Sequence, residues 1–166
     1  MANSKIFYLL LFCILKVATA HYCWRDYIQD IPPCAISTNG IIIAQAPYDF
    51  ILPASFYPST KTAVTEKGGK KLVLTKGIKF LCDKDDSRFS WDRVTTDSLT
   101  GDGLKNLVVG GYESNSTLYI GKVFLQGEWQ VSKVFPASSK WKGYRGWYAN
   151  NDTLYQTDDF EVLKYI

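Results

Sequence analysis

Histidine is almost absent from this chain: His21 is the only one in 166 residues. Ser-His-Asp and Cys-His nucleophilic catalysis, imidazole-rich zinc sites and histidine general bases elsewhere in the fold are thereby excluded. An amino-terminal His21 could chelate copper through its amine and ring, but that brace takes a second histidine. A phosphate loop is missing too, since KGGKK at 67–71 lacks the G-x-x-x-x-G-K-[ST] spacing. Those lysines are expected to form a solvated hairpin tip. The chain has no apolar run long enough to span a bilayer. The longest, IFYLLLFCIL at 6–15, falls well short of the roughly 20 residues required. Between Lys5 and Ala18-Thr19-Ala20 it has the layout of a secretory signal peptide over residues 1–20. The expectation is a secreted, extracellular protein that starts near His21 and has no membrane span.

Excess charge of one sign is also lacking. The 19 Lys+Arg stand against 16 Asp+Glu, and removing Lys5 and Lys16 with the leader leaves 17 − 16 = +1. Such a balance offers no counterion-release drive toward nucleic acid, so no nucleic-acid partner is expected. Cysteines are few. Cys13 leaves with the leader, and Cys23, Cys34 and Cys82 remain, an odd number in an oxidising compartment. One intrachain disulfide plus one free or intermolecular thiol follows, the latter a route to a homodimer. Three pairings are open, of which Cys23 with Cys82 would tie the start of a first unit to its end.

What is present is a set of short runs rich in Val, Ile, Tyr, Phe and Trp, punctuated by Gly, Pro, Asn and Asp, with no sustained helical period. This is the pattern of an all-β protein. Strands are expected at 41–46, 62–67, 70–75, 79–82, 89–94, 107–109, 117–123, 128–135 and 160–165. Gly68-Gly69 would form the turn of one hairpin, and the polar stretches 83–88 and 95–103 would be breaks. The chain also repeats itself. Residues 41–61 lie under 119–140, with Ile43 on Ile120, Pro58 on Pro136, Leu81 on Leu163 and Trp24 on Trp91. Two units, 21–82 and 83–166, are therefore expected to pack as one compact body.

Few motifs carry chemistry. Asp83, Asp85 and Ser87 begin like a calcium loop, but Arg88 stands where Gly is needed and Val94 where a bidentate Glu should be. A solvated acidic turn is the better reading, and neither a metal nor another cofactor is expected. Two carboxylates could serve a glycosidase, yet 16 acids always supply such pairs, so no enzymatic activity is expected. Trp129, Trp141, Tyr144, Trp147 and Tyr148, mixed with Glu113, Lys133, Lys142 and Arg145, have the composition of a surface that stacks rings on sugars and bonds their hydroxyls. The stretch WKGYRGWY reads as loop-like, with some rings exposed. Sequons at Asn115 and Asn151 fit glycosylation of a secreted chain.

The blocks GGYE (110–113), LYIGKV (118–123), SKVFP (132–136) and FEVL (160–163) resemble, in order and spacing, the GGYD, LYVGRA, P-[GA]-K-V-x-P and YEVL blocks of the DM9 repeat. Residues 24–82 resemble it more faintly. The resemblance implies a β-sandwich-like body of two pseudo-symmetric repeats. It also implies kinship with invertebrate mannose-binding lectins that recognise microbial surfaces in innate immunity. The lectins' acidic residue and lysine fall on Glu113 and Lys133. Tyr119 and Lys122, the latter in place of the family arginine, complete the candidate glycan-binding set. Ser55 occupies the first copy's lysine place. The alternative is a secreted structural or protein-interaction module.

Overall fold

The structure, a computed structural model, describes residues 22–147 and 153–166. The leader 1–20, His21, Tyr148 and the sequon asparagine Asn151 lie outside the described residues. Fourteen strands join in one antiparallel sheet, without an α-helix among the described residues. The first seven are β1 Cys23–Asp26, β2 Ser37–Thr38, β3 Ile41–Tyr48, β4 Phe50–Tyr57, β5 Thr62–Lys67, β6 Lys70–Leu74 and β7 Lys79–Cys82. The other seven are β8 Phe89–Thr95, β9 Val109–Glu113, β10 Ser116–Leu125, β11 Glu128–Phe135, β12 Gly143–Trp147, β13 Leu154–Thr157 and β14 Asp159–Tyr165.

The two sets pair alike. β3 lies between β4 and β7 as β10 lies between β11 and β14, and β1 flanks β7 as β8 flanks β14. β4–β5–β6 run as β11–β12–β13 do. Even the register agrees: Trp24 faces Leu81 as Trp91 faces Leu163, and Ala44 faces Phe80 as Gly121 faces Val162. The halves join where Ile51 of β4 pairs with Tyr112 of β9.

The sheet folds over so that the inner faces meet. Ile36, Ile43 and Leu81 of the first half and Val108, Ile120 and Leu163 of the second share one buried cluster, with Trp24, Trp91 and Trp129 packed around it. Each fully buried aliphatic side chain contributes about 1.5–3 kcal/mol. At the seam, Ser55 Oγ donates to the Val131 carbonyl and accepts from the Val131 N–H, each at 2.8 Å. The Gln45 amide donates to the Gly110 carbonyl at 2.9 Å.

Five strands, β1, β2, β4, β12 and β13, lie outside the expected stretches, and β4 and β12 run where the sequence argues against a strand. β4 contains Pro53, which should exclude an inner strand. Thr65 Oγ1 donates to the Pro53 carbonyl at 2.7 Å, while backbone pairing of β4 with β5 starts only at Ser55. N and C=O of one strand residue point the same way, so the missing N–H of Pro53 falls where the ladder has already ended. β12 corrects the loop-like reading of WKGYRGWY: all five of its residues are buried. A Cβ on Gly121 or Gly146 would lie 3.0 or 2.9 Å from the Tyr144 ring, so these glycines make room for a buried tyrosine. Farther along, β9 begins at Val109 rather than 107, because Leu107 and Val108 turn inward, the latter bonding the Leu163 carbonyl at 3.0 Å. Of the three cysteine pairings, Cys34–Cys82 forms and Cys23 stays free and exposed. A closed loop of this length is worth about 4 kcal/mol in the chain-entropy treatment. Asp85 caps the short turn Asp86–Arg88, accepting from the Ser87 N–H.

The paired glycines of GGYE have a steric cause. A Cβ on Gly110 would sit 2.6 Å from Pro53 Cγ, and one on Gly111 would sit 2.0 Å from the Ile51 carbonyl oxygen. The second contact is with backbone of the opposite half and cannot swing away. Gly111→Ala is expected to lower stability by about 1–3 kcal/mol, read as a fall in the urea midpoint; an unchanged midpoint would show that the seam yields.

Candidate functional site

The β5–β6 hairpin turns through Gly68 and Gly69 at φ 61° and 84°, with Lys67 facing Lys70 across the turn. Positive φ at both central residues is the primed turn that matches strand twist, and glycine takes it without strain. The turn carries Glu66 and Lys67 to the second half. There β9 supplies Glu113, β11 supplies Lys133, and β12 sets Arg145 opposite Lys133.

Lys133 Nζ lies between two carboxylates. It donates to Glu113 Oε2 in a short hydrogen bond and sits 2.9 Å from Glu66 Oε2. Lys67 Nζ donates to Glu113 Oε1 at 2.7 Å. Glu66 Oε1 accepts the Gly69 N–H at 2.6 Å, tying the turn to the network. Glu66 Oε2 lacks a well-formed hydrogen bond and is held by charge, with Arg145 Nε at 3.6 Å as its second cation. The Lys133 and Glu66 side chains are each 1% exposed. Lys67 lies over the Phe50 ring, and Arg145 lies 5.0 Å from the centre of the exposed Trp141 ring. Together with Ser114, Phe135, Leu154 and Gln156 these groups line a cleft of about 420 Å³ between the halves.

The structure thus brings Glu113 and Lys133 together and leaves the other candidates elsewhere. Lys122 is caged between the Trp91 and Trp129 rings, 4.5 and 4.6 Å from their centres, and pairs with Glu161 at 3.3 Å. It borders a separate hollow with Arg93, Asp159 and Phe124. Tyr119 packs against the core of the second half beside Val134 and Leu99, and burial raises its hydroxyl pKa. Tyr144 and Trp147 are core residues, which leaves Trp141 as the exposed ring at the cleft. Asn115 lies exposed in the β9–β10 turn, beside the cleft residue Ser114.

Glu66 and Lys67 escaped the sequence reading because their copy had lost its lysine place to Ser55, and KGGKK was taken as solvated. The matching registers also locate the cleft's counterpart. Ser55 stands for Lys133, Val64 for Arg145, Val73 for Gln156, Tyr57 for Phe135 and Trp147 for Glu66. Tyr57, Val64, Val73 and Trp147 line a hollow of about 350 Å³ with Glu128 and Lys71. Burial, then Glu128, pushes the Tyr57 hydroxyl up to about 12. One position of the pair holds three cations and two carboxylates; its counterpart holds one of each, Lys71 and Glu128, with Thr60 and Thr62 and four apolar or aromatic residues.

Fold and site define a class: an all-β protein of two like halves with one densely charged cleft at their junction. The chain belongs to the DM9 repeat family, whose model matches residues 41–146, more than half its length. Glu66, Lys67, Glu113, Lys133, Trp141 and Arg145 all fall inside that span. No curated protein matches the chain. No helix among the described residues is long and apolar enough to cross a membrane.

Burial raises the Glu113 carboxyl pKa, but hydrogen bonds and charge from Lys133 and Lys67 outweigh it and leave the group below its ordinary value of 4.5. A carboxyl depressed on folding contributes stability that is full above its unfolded pKa and lost as pH falls through the folded one. The urea midpoint of the wild type is therefore expected to fall as pH drops below 4.5. Glu113→Gln should be less stable at neutral pH by about 1–3 kcal/mol and flatter over that acid range. Parallel pH curves for the two proteins would refute the assignment.

Proposed function

We propose that this DM9 protein is a secreted, non-enzymatic, lectin-like protein that binds mannose-type glycans of microbial or host surfaces, in an innate-immune role. The DM9 domain is known in a family of carbohydrate-binding, lectin-like proteins. The observation that carries the reading is the meeting of Glu113 and Lys133 in one cleft with Trp141 at its rim. A sugar ring lays its CH face on the indole, and its hydroxyls meet the ammonium and carboxylate groups below. The layout of residues 1–20 supports secretion. The near-complete burial of Lys133 favours the second reading, a structural or protein-interaction module in which the network only holds the halves together.

A glycan array at neutral pH, with protein before and after enzymatic deglycosylation, separates the two. Wild type is expected to bind mannose-type structures, and Trp141→Ala and Lys133→Ala to lose at least about tenfold in affinity, or about 1.4 kcal/mol. The exposed Trp141 can be removed without opening the core, so its variant guards against misfolding as the cause. Silence of both wild-type preparations would sink the lectin reading.

Single-site sugar binding is weak, and linking two sites raises avidity. The exposed Cys23 supplies such a link between two copies. On a non-reducing gel the wild type is expected to run as a dimer and Cys23→Ser as a monomer. A monomeric wild type would remove the covalent route.

A further inference from the structure

We infer that the cleft selects an acidic sugar, a residue bearing a carboxylate, over its neutral counterpart; this rests on the lectin-like reading of the same site. The inference comes from a balance of charges and hydrogen-bonding groups. Lys67, Lys133 and Arg145 stand against Glu66 and Glu113, which leaves 3 − 2 = +1 in the lining. Both oxygens of each carboxylate already face a protein donor. Glu113 Oε1 takes Lys67, and Oε2 takes Lys133. Glu66 Oε1 takes the Gly69 N–H, and Oε2, which is buried, is held by the charges of Lys133 at 2.9 Å and Arg145 at 3.6 Å without a well-formed hydrogen bond.

Donors remain in surplus. An ammonium has three N–H groups and a guanidinium five. Lys133 spends one on Glu113 and faces Glu66 by charge, Lys67 spends one on Glu113, and Arg145 directs Nε toward Glu66. A neutral sugar's hydroxyls can accept from these donors, but each also brings an O–H that needs an acceptor, and three of the four carboxylate oxygens already accept from the protein while the fourth is buried. A ligand carboxylate offers only acceptors, neutralises the excess charge and can take the planar fork of Arg145. Desolvation in the half-closed cleft strengthens such a pairing relative to water.

The flanks carry the same sign. Stretches 67–71 and 138–143 hold Lys67, Lys70, Lys71, Lys140 and Lys142 and no acid. Lys140 Nζ lies 5.0 Å from the Trp141 ring centre, at the edge of the platform on which a sugar would stack. The pseudo-symmetric hollow, with Val64 in place of Arg145 and Ser55 in place of Lys133, lacks this donor set.

The test is a matched pair of ligands titrated into the deglycosylated protein by calorimetry. One is a mannose-terminated oligosaccharide; the other is the same skeleton with its terminal C6 oxidised to the carboxylate. The acidic form is expected to bind about tenfold more tightly at about 0.05 M salt. The gap should narrow at about 0.5 M and close in Lys67→Gln and in Arg145→Gln. Lys67 sits at a hairpin end with a partly exposed side chain, so its variant keeps the inference testable should loss of Arg145 disturb the fold. Equal affinities, or a gap that survives both substitutions, would overturn the selection and leave the lectin-like reading standing. No binding of either sugar would end both.

Discussion

Everything in this molecule depends on how closely the two halves approach at the seam, and Ser55 sets that distance. Its hydroxyl serves both backbone groups of Val131 at 2.8 Å, so β4 and β11 meet with one small polar side chain between them. The buried backbone groups of Val131 are thereby satisfied without a ladder partner on that side. Gly111 against the Ile51 carbonyl and Gln45 on the Gly110 carbonyl hold the neighbouring contacts equally tight. Only with the halves this close do Ile43, Leu81, Ile120 and Leu163 close one core. The same closeness lets Glu66, on the first half's hairpin, reach Lys133 on the second.

The charged cleft is a poor place to look for stability. Burying Lys133 with two carboxylates costs desolvation that its Coulomb gain roughly offsets, and an apolar replacement of the whole set is often no worse. The counterpart hollow shows this fold accepting part of that replacement, with Val64, Val73 and Trp147 at the register positions of Arg145, Gln156 and Glu66. Since both solutions occur on one scaffold, the packing of two like halves does not itself demand the ions. Their density in one cleft, beside an exposed indole, is more economically explained by a ligand than by the fold.

The strands were legible in the sequence where their surroundings obeyed ordinary rules. β7 and β11 keep their expected bounds, and the Gly68-Gly69 turn lies where its composition puts it. The strands that escaped owe their form to partners distant in sequence. Pro53 is tolerated because its missing N–H falls beyond the end of the β4–β5 ladder, and GYRGW is a strand because Gly121 and Gly146 admit the Tyr144 ring. Half of the candidate site escaped for a similar reason. Glu113 and Lys133 share one copy and could be read by position within it. Glu66 and Lys67 belong to the other copy and acquire meaning only when the sheet folds over.

That division alters how the two halves relate to function. Ser55 holds in the first copy the register place that Lys133 holds in the second, and it is Ser55 that bonds Val131 across the seam while Lys133 lies enclosed. The first half supplies Glu66 against Lys133 and Lys67 against Glu113, so the second half's lysine and carboxylate are partnered from across the seam. The halves are therefore not a worn copy beside a working one. Separated, the first half would lose the cations its Glu66 faces, and the second would keep a buried ammonium and Glu113 without Glu66 and Lys67, their partners across the seam. The site is a property of the junction, and the asymmetry of the repeats is what makes that junction densely charged on one side and only sparsely so on the other.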